Sequence, residues 1–310
     1  MPHVGAKVRR IVWNDAHTGL SRLMVTVTET AVAPRERESQ SVRIEPPARW
    51  PVFNLKELWE YRELISLLVV RDLKASYAQT LLGASWVIVK PVLLMLVFTF
   101  VFALLVKVPS GDVPYPIFCF AGLLPWQYFA RSLSGASTSL MANQHLITKV
   151  YFPRLILPLS ALVTPALEFI VSSVVLMGMM WVYQVIPPWR FWLVPVFVLL
   201  AAGTALGGGI WLSALNVRFR DIAQAHMFIT QLWFFATPVV YPAVLVPAEW
   251  QWLYWLNPMV AVVEGVRWAL LGSDGISGAS LLASVGIVAA LIVSGLFCFL
   301  RMDRTLADTV

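Results

Sequence analysis

Several ionisable side chains fall within otherwise apolar stretches of this chain: Lys90, Arg131, Glu168, His226, Glu264 and Arg267. A hydrolase or transferase needs acids that converge on one reacting bond. The carboxylates Glu168, Asp221, Glu264 and Asp274 show no paired spacing that would do so. His3 and His17 lie near the start, while His145 and His226 stand alone, and no H-E-x-x-H occurs. Cys119 and Cys298 sit in apolar runs without metal spacing and read as small hydrophobes. No G-x-x-x-x-G-K-S/T occurs, and the glycines 203, 207, 208 and 209 are followed by no Lys-Ser/Thr pair. The expectation is therefore a chain that is no enzyme, with no catalytic residues, resident metal or cofactor.

What remains is the charge itself. Glu168 stands mid-way along an apolar run, where an ionised carboxylate costs about 2.5–3.5 kcal/mol on insertion scales. It should face the interior, either paired or protonated, unless it lines a pathway. Lys90 lies one turn into its run and can snorkel toward headgroups. Arg131 is deeper, with the same two readings. Glu264 and Arg267 are three apart and can pair locally or point into the exit of a pathway.

The elements that carry these groups are membrane helices. The chain is 59% hydrophobic with mean hydropathy +0.74 and only 13% charged residues. Such a composition cannot be hidden in a soluble domain. The net charge of +6 is concentrated in the first residues and short loops, which suits anionic lipid headgroups and not nucleic acid. Apolar runs near 86–106, 115–139, 155–183, 190–214, 224–241 and 279–300 are each close to the ~20 residues that a spanning helix needs. Lys149, Arg154, Arg218, Arg220, Arg301 and Arg304 fall on the side of the basic tail, with Lys107 and Arg190 opposite. The positive-inside rule then puts both termini in the cytoplasm of a multi-pass inner-membrane protein.

Two segments do not span. Residues 53–80 carry a capping pattern at Asn54 and Glu57, then Tyr61, Ile65, Leu68 and Leu73 on one face, as an amphipathic helix in the headgroup plane would. Residues 242–272 hold Trp250, Trp252, Tyr254, Trp255 and Trp268, broken by Pro247 and Pro258, and read as two short helices dipping into the outer leaflet or as an aromatic belt. The expected architecture is all-α and integral to the membrane: six transmembrane helices, an amino-terminal interfacial helix and a re-entrant outer helical hairpin. Residues 1–52 are expected to be a disordered cytoplasmic tail, 81–300 the transmembrane domain and 301–310 a cytoplasmic tail. The first long apolar run begins only near Leu64, so no signal peptide is read, and Met24 opens a stretch that looks like a natural start.

The strings RDLKASYAQTLLGASWVIVKP (71–91), GLLPWQYFARSL (122–133), TKVYFPRLILPLSAL (148–162), WLSALNVRFRDI (211–222), QLWFFATPVVYP (231–242) and WLNPMVAVVEGVRWALLG (255–272) occur in this order. Together they resemble the permease subunit of type-2 ABC exporters of polysaccharides and polyol phosphates. The resemblance covers about residues 52–300. It implies a homodimer with two copies of a separate ABC ATPase subunit, which would bind the ATP and magnesium. The cargo it implies is a lipid-linked glycan of the O-antigen, capsule or teichoic-acid type.

The same resemblance makes loop 142–153 the coupling element that seats on the ATPase, through His145, Lys149, Val150, Tyr151, Phe152 and Arg154. It makes the outer pair of short helices a gate, with Trp250, Trp252, Tyr254, Trp255, Glu264 and Arg267. A glycan loses many water hydrogen bonds on entering hydrocarbon, so its path needs polar groups and rings on which sugars stack. Trp126, Tyr128, Phe129, Trp233, Phe234 and Tyr241 are candidates for those rings, and Arg71, Lys74 and Lys90 for cations that meet the lipid phosphate. Headgroup anchoring and core packing explain the same residues. Rival readings are a type-2 ABC permease for a small hydrophobic cargo, a membrane glycan-modifying transferase and a proton-coupled carrier.

Overall fold

The computed structural model describes residues 59–78, 83–109, 111, 113–150, 152–219, 221–273 and 277–309. The expected tail 1–52, the Asn54–Glu57 cap, Tyr151, Arg220 and Asp274 lie outside the described residues. Among them every regular element is helical. We number the helices α1 (Arg62–Tyr77), α2 (Trp86–Phe98, continued by a π-helical run Thr99–Leu105), α3 (Tyr115–Ala142), α4 (Gln144–Ile147) and α5 (Ile156–Val182). After them come α6 (Val194–Arg218), α7 (Ile222–Phe235), α8 (Gln251–Trp255), α9 (Pro258–Leu271) and α10 (Gly278–Thr309). Among the described residues, four stretches are long and apolar enough to cross a membrane: Gly83–Leu105, Ile156–Val182, Trp189–Arg218 and Gly278–Met302.

Helix α3 is the axis around which the rest packs, chiefly against α5 and α6. Ile117, Phe120, Ala121, Phe129 and Ala136 on it have no exposed surface. Its C-terminal half is polar, with serines that turn back on the helix: Ser137 Oγ donates to Ser134 O at 2.9 Å, and Ser139 Oγ to Ala136 O at 2.7 Å. Such a helix is less apolar than its neighbours because protein, not lipid, surrounds it.

Close approach sets the next layer. A Cβ on Gly207 would lie 2.9 Å from Ile292 N, and one on Gly295 would lie 2.8 Å from Gly207 O. The small residues thus let α6 and α10 touch backbone to backbone, the usual means of helix association without a hydrophobic drive. In α2, Pro91 lacks the N–H that would bond to the Val87 carbonyl. Ser172 Oγ on α5 donates to that carbonyl at 3.3 Å and pins the two helices together.

One boundary differs from the sequence expectation. The helix expected across 224–241 ends at Phe235. Its 14 residues rise about 21 Å, short of the ~30 Å hydrocarbon thickness. Pro238 and Pro242 cannot donate to a continuing helix, so the chain unwinds there. The expected tail 301–310 is, through Thr309, a continuation of α10.

Candidate functional site

Helices α2, α3 and α5 line an open cavity of about 360 Å³. Lys90, Trp86 and Leu94 come from α2, Gln127, Tyr128 and Arg131 from α3, and Glu168, Phe169 and Ser172 from α5. Arg131 Nη1 pairs with Glu168 Oε2, and the Tyr77 hydroxyl of α1 donates to Glu168 Oε1. The carboxylate at membrane depth is therefore both paired and hydrogen-bonded, which is what its desolvation demands. Burial, and then the neighbouring carboxylate, push the Tyr77 phenol up to about 12, so it stays a protonated donor.

The pair is asymmetric. The Glu168 side chain is 9% exposed, whereas that of Arg131 is 45% exposed. A guanidinium half-exposed at this depth faces water or a polar ligand, because acyl chains would not tolerate it. The buried Gln127 Nε2 has no hydrogen-bond partner, so the cavity wall carries a donor to spare. Lys90 lies over the Trp86 ring, 5.7 Å from its centroid. The site thus offers cations, an amide and aromatic faces together.

The other aromatic candidates lie elsewhere. Trp126, Phe129, Trp233 and Phe234 interlock in one cluster, with ring centroids 5.0 Å apart for Phe129–Trp233 and 5.6 Å for Trp126–Phe234. Trp126 and Phe129 are buried inside the protomer, so they shape the bundle from behind any surface. Trp233 Nε1 donates at 2.9 Å to Asn257 Oδ1, an oxygen that also caps α9 by accepting from Met259 N at 3.0 Å. Asn257 Nδ2 in turn donates to Thr237 Oγ1 at 2.9 Å.

The outer end is held by Arg267, which is wholly buried. Its guanidinium donates to Pro238 O and Val239 O at 2.5 Å each, to Phe118 O at 3.3 Å and to Glu264 Oε1 at 3.1 Å. It also stacks 3.6 Å from the centroid of the Phe118 ring. The carbonyls left over where the chain unwinds after Phe235 are thereby satisfied, as irregular backbone at this depth requires. Of the two sequence readings for Glu264 and Arg267, local pairing is the one that the geometry shows. The hydroxyls of Tyr241 and Tyr254 bond to each other, joining α8 to the same segment. Trp250, Trp252 and Trp255 are about half-exposed on the surface.

In the loop after α3, His145, Lys149 and Val150 are exposed, and Val150 presents an apolar side chain to solvent. Phe152 is buried with Leu68, Leu155 and Ile156, so it anchors the loop and does not belong to its outer knob. Arg71 Nη1 donates to Asn143 Oδ1 at 2.8 Å, and its Nε and Nη2 engage Asp72. Lys74 is exposed one turn further on. Helix α1 packs against α5, with Leu68 and Val69 buried, instead of resting on lipid alone.

Sequence reasoning did not single out Tyr77, Gln127, Asn143 or Asn257. The Asn257-Pro258 pair was the available signal for a capped helix start. His226, read as solitary, is buried with Nε2 at 3.3 Å from Ser137 Oγ and 3.4 Å from Ser134 Oγ. Among the described residues no group of His, Cys, Asp or Glu could hold a metal ion.

Comparison with known proteins identifies the family. Residues 63–271 match the family described as ABC-2 type transporter. The chain is 36% identical over 216 residues to the O-antigen export system permease protein RfbA of Myxococcus xanthus, covering 69% of this chain and 82% of that one. It is 30% identical over 260 residues to the RfbA of Klebsiella pneumoniae, covering 82% of this chain and 99% of that one. The polysialic acid transport protein KpsM of Escherichia coli is 22% identical over 231 residues, covering 69% of this chain and 84% of KpsM. On these matches the chain belongs to the ABC-2 type transporter family of membrane proteins.

Proposed function

We propose that this chain is the permease half of an ATP-driven exporter that moves a lipid-linked polysaccharide across the cytoplasmic membrane. The relatives named for O-antigen and polysialic acid transport support a glycan cargo. The observation that carries the reading is the cavity between α2, α3 and α5. Lys90, Arg131 and Gln127 beside Trp86 and Tyr128 offer cations, an amide and rings to a phosphorylated sugar chain, set among apolar neighbours such as Leu94, Leu124 and Phe169. Arg71 is already bonded to Asp72 and Asn143, so Lys74 and Lys90 are the better placed of the three cations first considered.

In this reading two copies of the chain form the pathway, and two ATPase subunits bind the loop around His145, Lys149 and Val150. Helix α3, and α7 together with the unwound chain that follows it, complete six crossings with the four apolar helices, both termini are cytoplasmic, and α8 and α9 form the re-entrant outer hairpin. ATP closure of the partner subunits displaces the loops, and rigid helices convert that motion into opening between protomers. The test is a strain lacking this chain. The glycan should accumulate inside the cell and return to the surface on complementation. An unchanged surface glycan, with no internal pool, would contradict the proposal.

A further inference from the structure

Helix α1 makes three attachments whose positions along it differ. Leu68 is buried with Phe152, Leu155 and Ile156 at the end of the cytoplasmic loop. Arg71 donates to Asn143 at the start of that loop, and Asn143 Nδ2 donates on to Ser139 O at 2.8 Å. Tyr77, six residues beyond Arg71 and so roughly 9 Å further along a rigid helix, donates to Glu168 in the cavity. The middle of α1 is thus fastened to the loop and its C-terminal end to the ion pair at membrane depth.

We propose that Tyr77 is a positioning residue: acting through α1, it ties the cytoplasmic loop to Glu168 and so sets where the Arg131 guanidinium stands in the cavity. Of the ion pair, Arg131 is the half-exposed member and Glu168 the buried one, so Arg131 is free to move when its partner shifts. Displacement of the loop drags α1 along its axis and withdraws the Tyr77 hydroxyl from Glu168. The carboxylate then re-forms its remaining contact in a new place, and the cation that faces the cargo moves with it. The two positions differ by the charge-assisted hydrogen bonding of the Tyr77 hydroxyl to the Arg131–Glu168 pair, which is the differential contact that such coupling requires.

The inference rests on the export reading above, and one experiment separates the two. The full chain is produced with its ATPase in cell membranes, and glycan export and ATP hydrolysis are measured on the same material. Tyr77→Phe removes only the hydroxyl. Hydrolysis should stay within about twofold while export falls about tenfold, the effect of one hydrogen bond to a charged group. Combining Tyr77→Phe with Arg71→Ala should lower export no further than the more damaging single change, because both cut one linkage. Unchanged export in Tyr77→Phe, equal loss of export and hydrolysis, or losses that multiply in the double variant would each overturn the inference and leave the export reading standing. A wild-type complex that moves no glycan would overturn both.

Discussion

Arg267 on α9 donates to the carbonyl of Val239 at 2.5 Å, across 28 positions of sequence. The residue that looked like half of a local ion pair is the fastening for the whole unwound segment between α7 and α8. Replacing it by Met would leave the largely buried Glu264 without its cation and orphan the Pro238 and Val239 carbonyls. The expected cost is about 3–5 kcal/mol, seen as a lower unfolding temperature in detergent. Arg267→Lys should recover only part of this, since one ammonium cannot reproduce the planar fork.

Gly122 should be as intolerant for a related reason. A Cβ there would stand 2.6 Å from both Arg267 Nη2 and the backbone oxygen of Val239. The side chain could yield, but the carbonyl cannot. Gly122→Ala is expected to cost about 1–3 kcal/mol. Combined with Arg267→Met, it should cost clearly less than the sum of the two single changes, because they damage one cluster. Full additivity in thermal unfolding would show that the two sites are independent.

The course of the helices was legible because apolar runs of spanning length leave little choice in a bilayer. The strings that carried the family resemblance hold Gly122, Arg131 and Arg267. The side-chain partners were harder to read. Glu168 demanded a partner by cost alone, but nothing in the order of residues placed Arg131 and Tyr77 beside it, 37 and 91 positions away. Phe152 looked equivalent to Val150 as an apolar loop residue, and only the fold shows that it turns inward. Aromatic rings were ambiguous for the same reason: composition cannot tell the Phe129 packing position from a ring that lines a surface.

Asn257 serves a cap and a bridge with one side chain. Asn257→Asp keeps the oxygen that accepts from Met259 N and Trp233 Nε1 but cannot donate to Thr237. It should be milder than Asn257→Ala, which loses the cap at about 1 kcal/mol and the Trp233 contact besides. Hydrogen exchange of the first α9 amides would rank the two. Equal protection in both variants would remove the cap from the account.

The loop between α3 and α5 divides into an exposed and a buried part. Lys149→Glu and Val150→Asp change exposed positions, so they should weaken co-purification of the ATPase while leaving the amount and insertion of the permease unchanged. Phe152→Ala should instead lower the stability of the chain by about 3–5 kcal/mol, as the loss of a buried ring does. Loss of ATPase binding from Phe152→Ala at full stability would reverse that assignment.

The most direct measurement uses inverted membrane vesicles that hold this chain with its ATPase. Lipid-linked glycan supplied at the outer, formerly cytoplasmic, face is followed into the lumen with and without ATP. The account predicts ATP-dependent entry of the glycan that is lost when Arg131 is replaced by Ala. Glycan that stays outside while a small hydrophobic dye is carried in would contradict it.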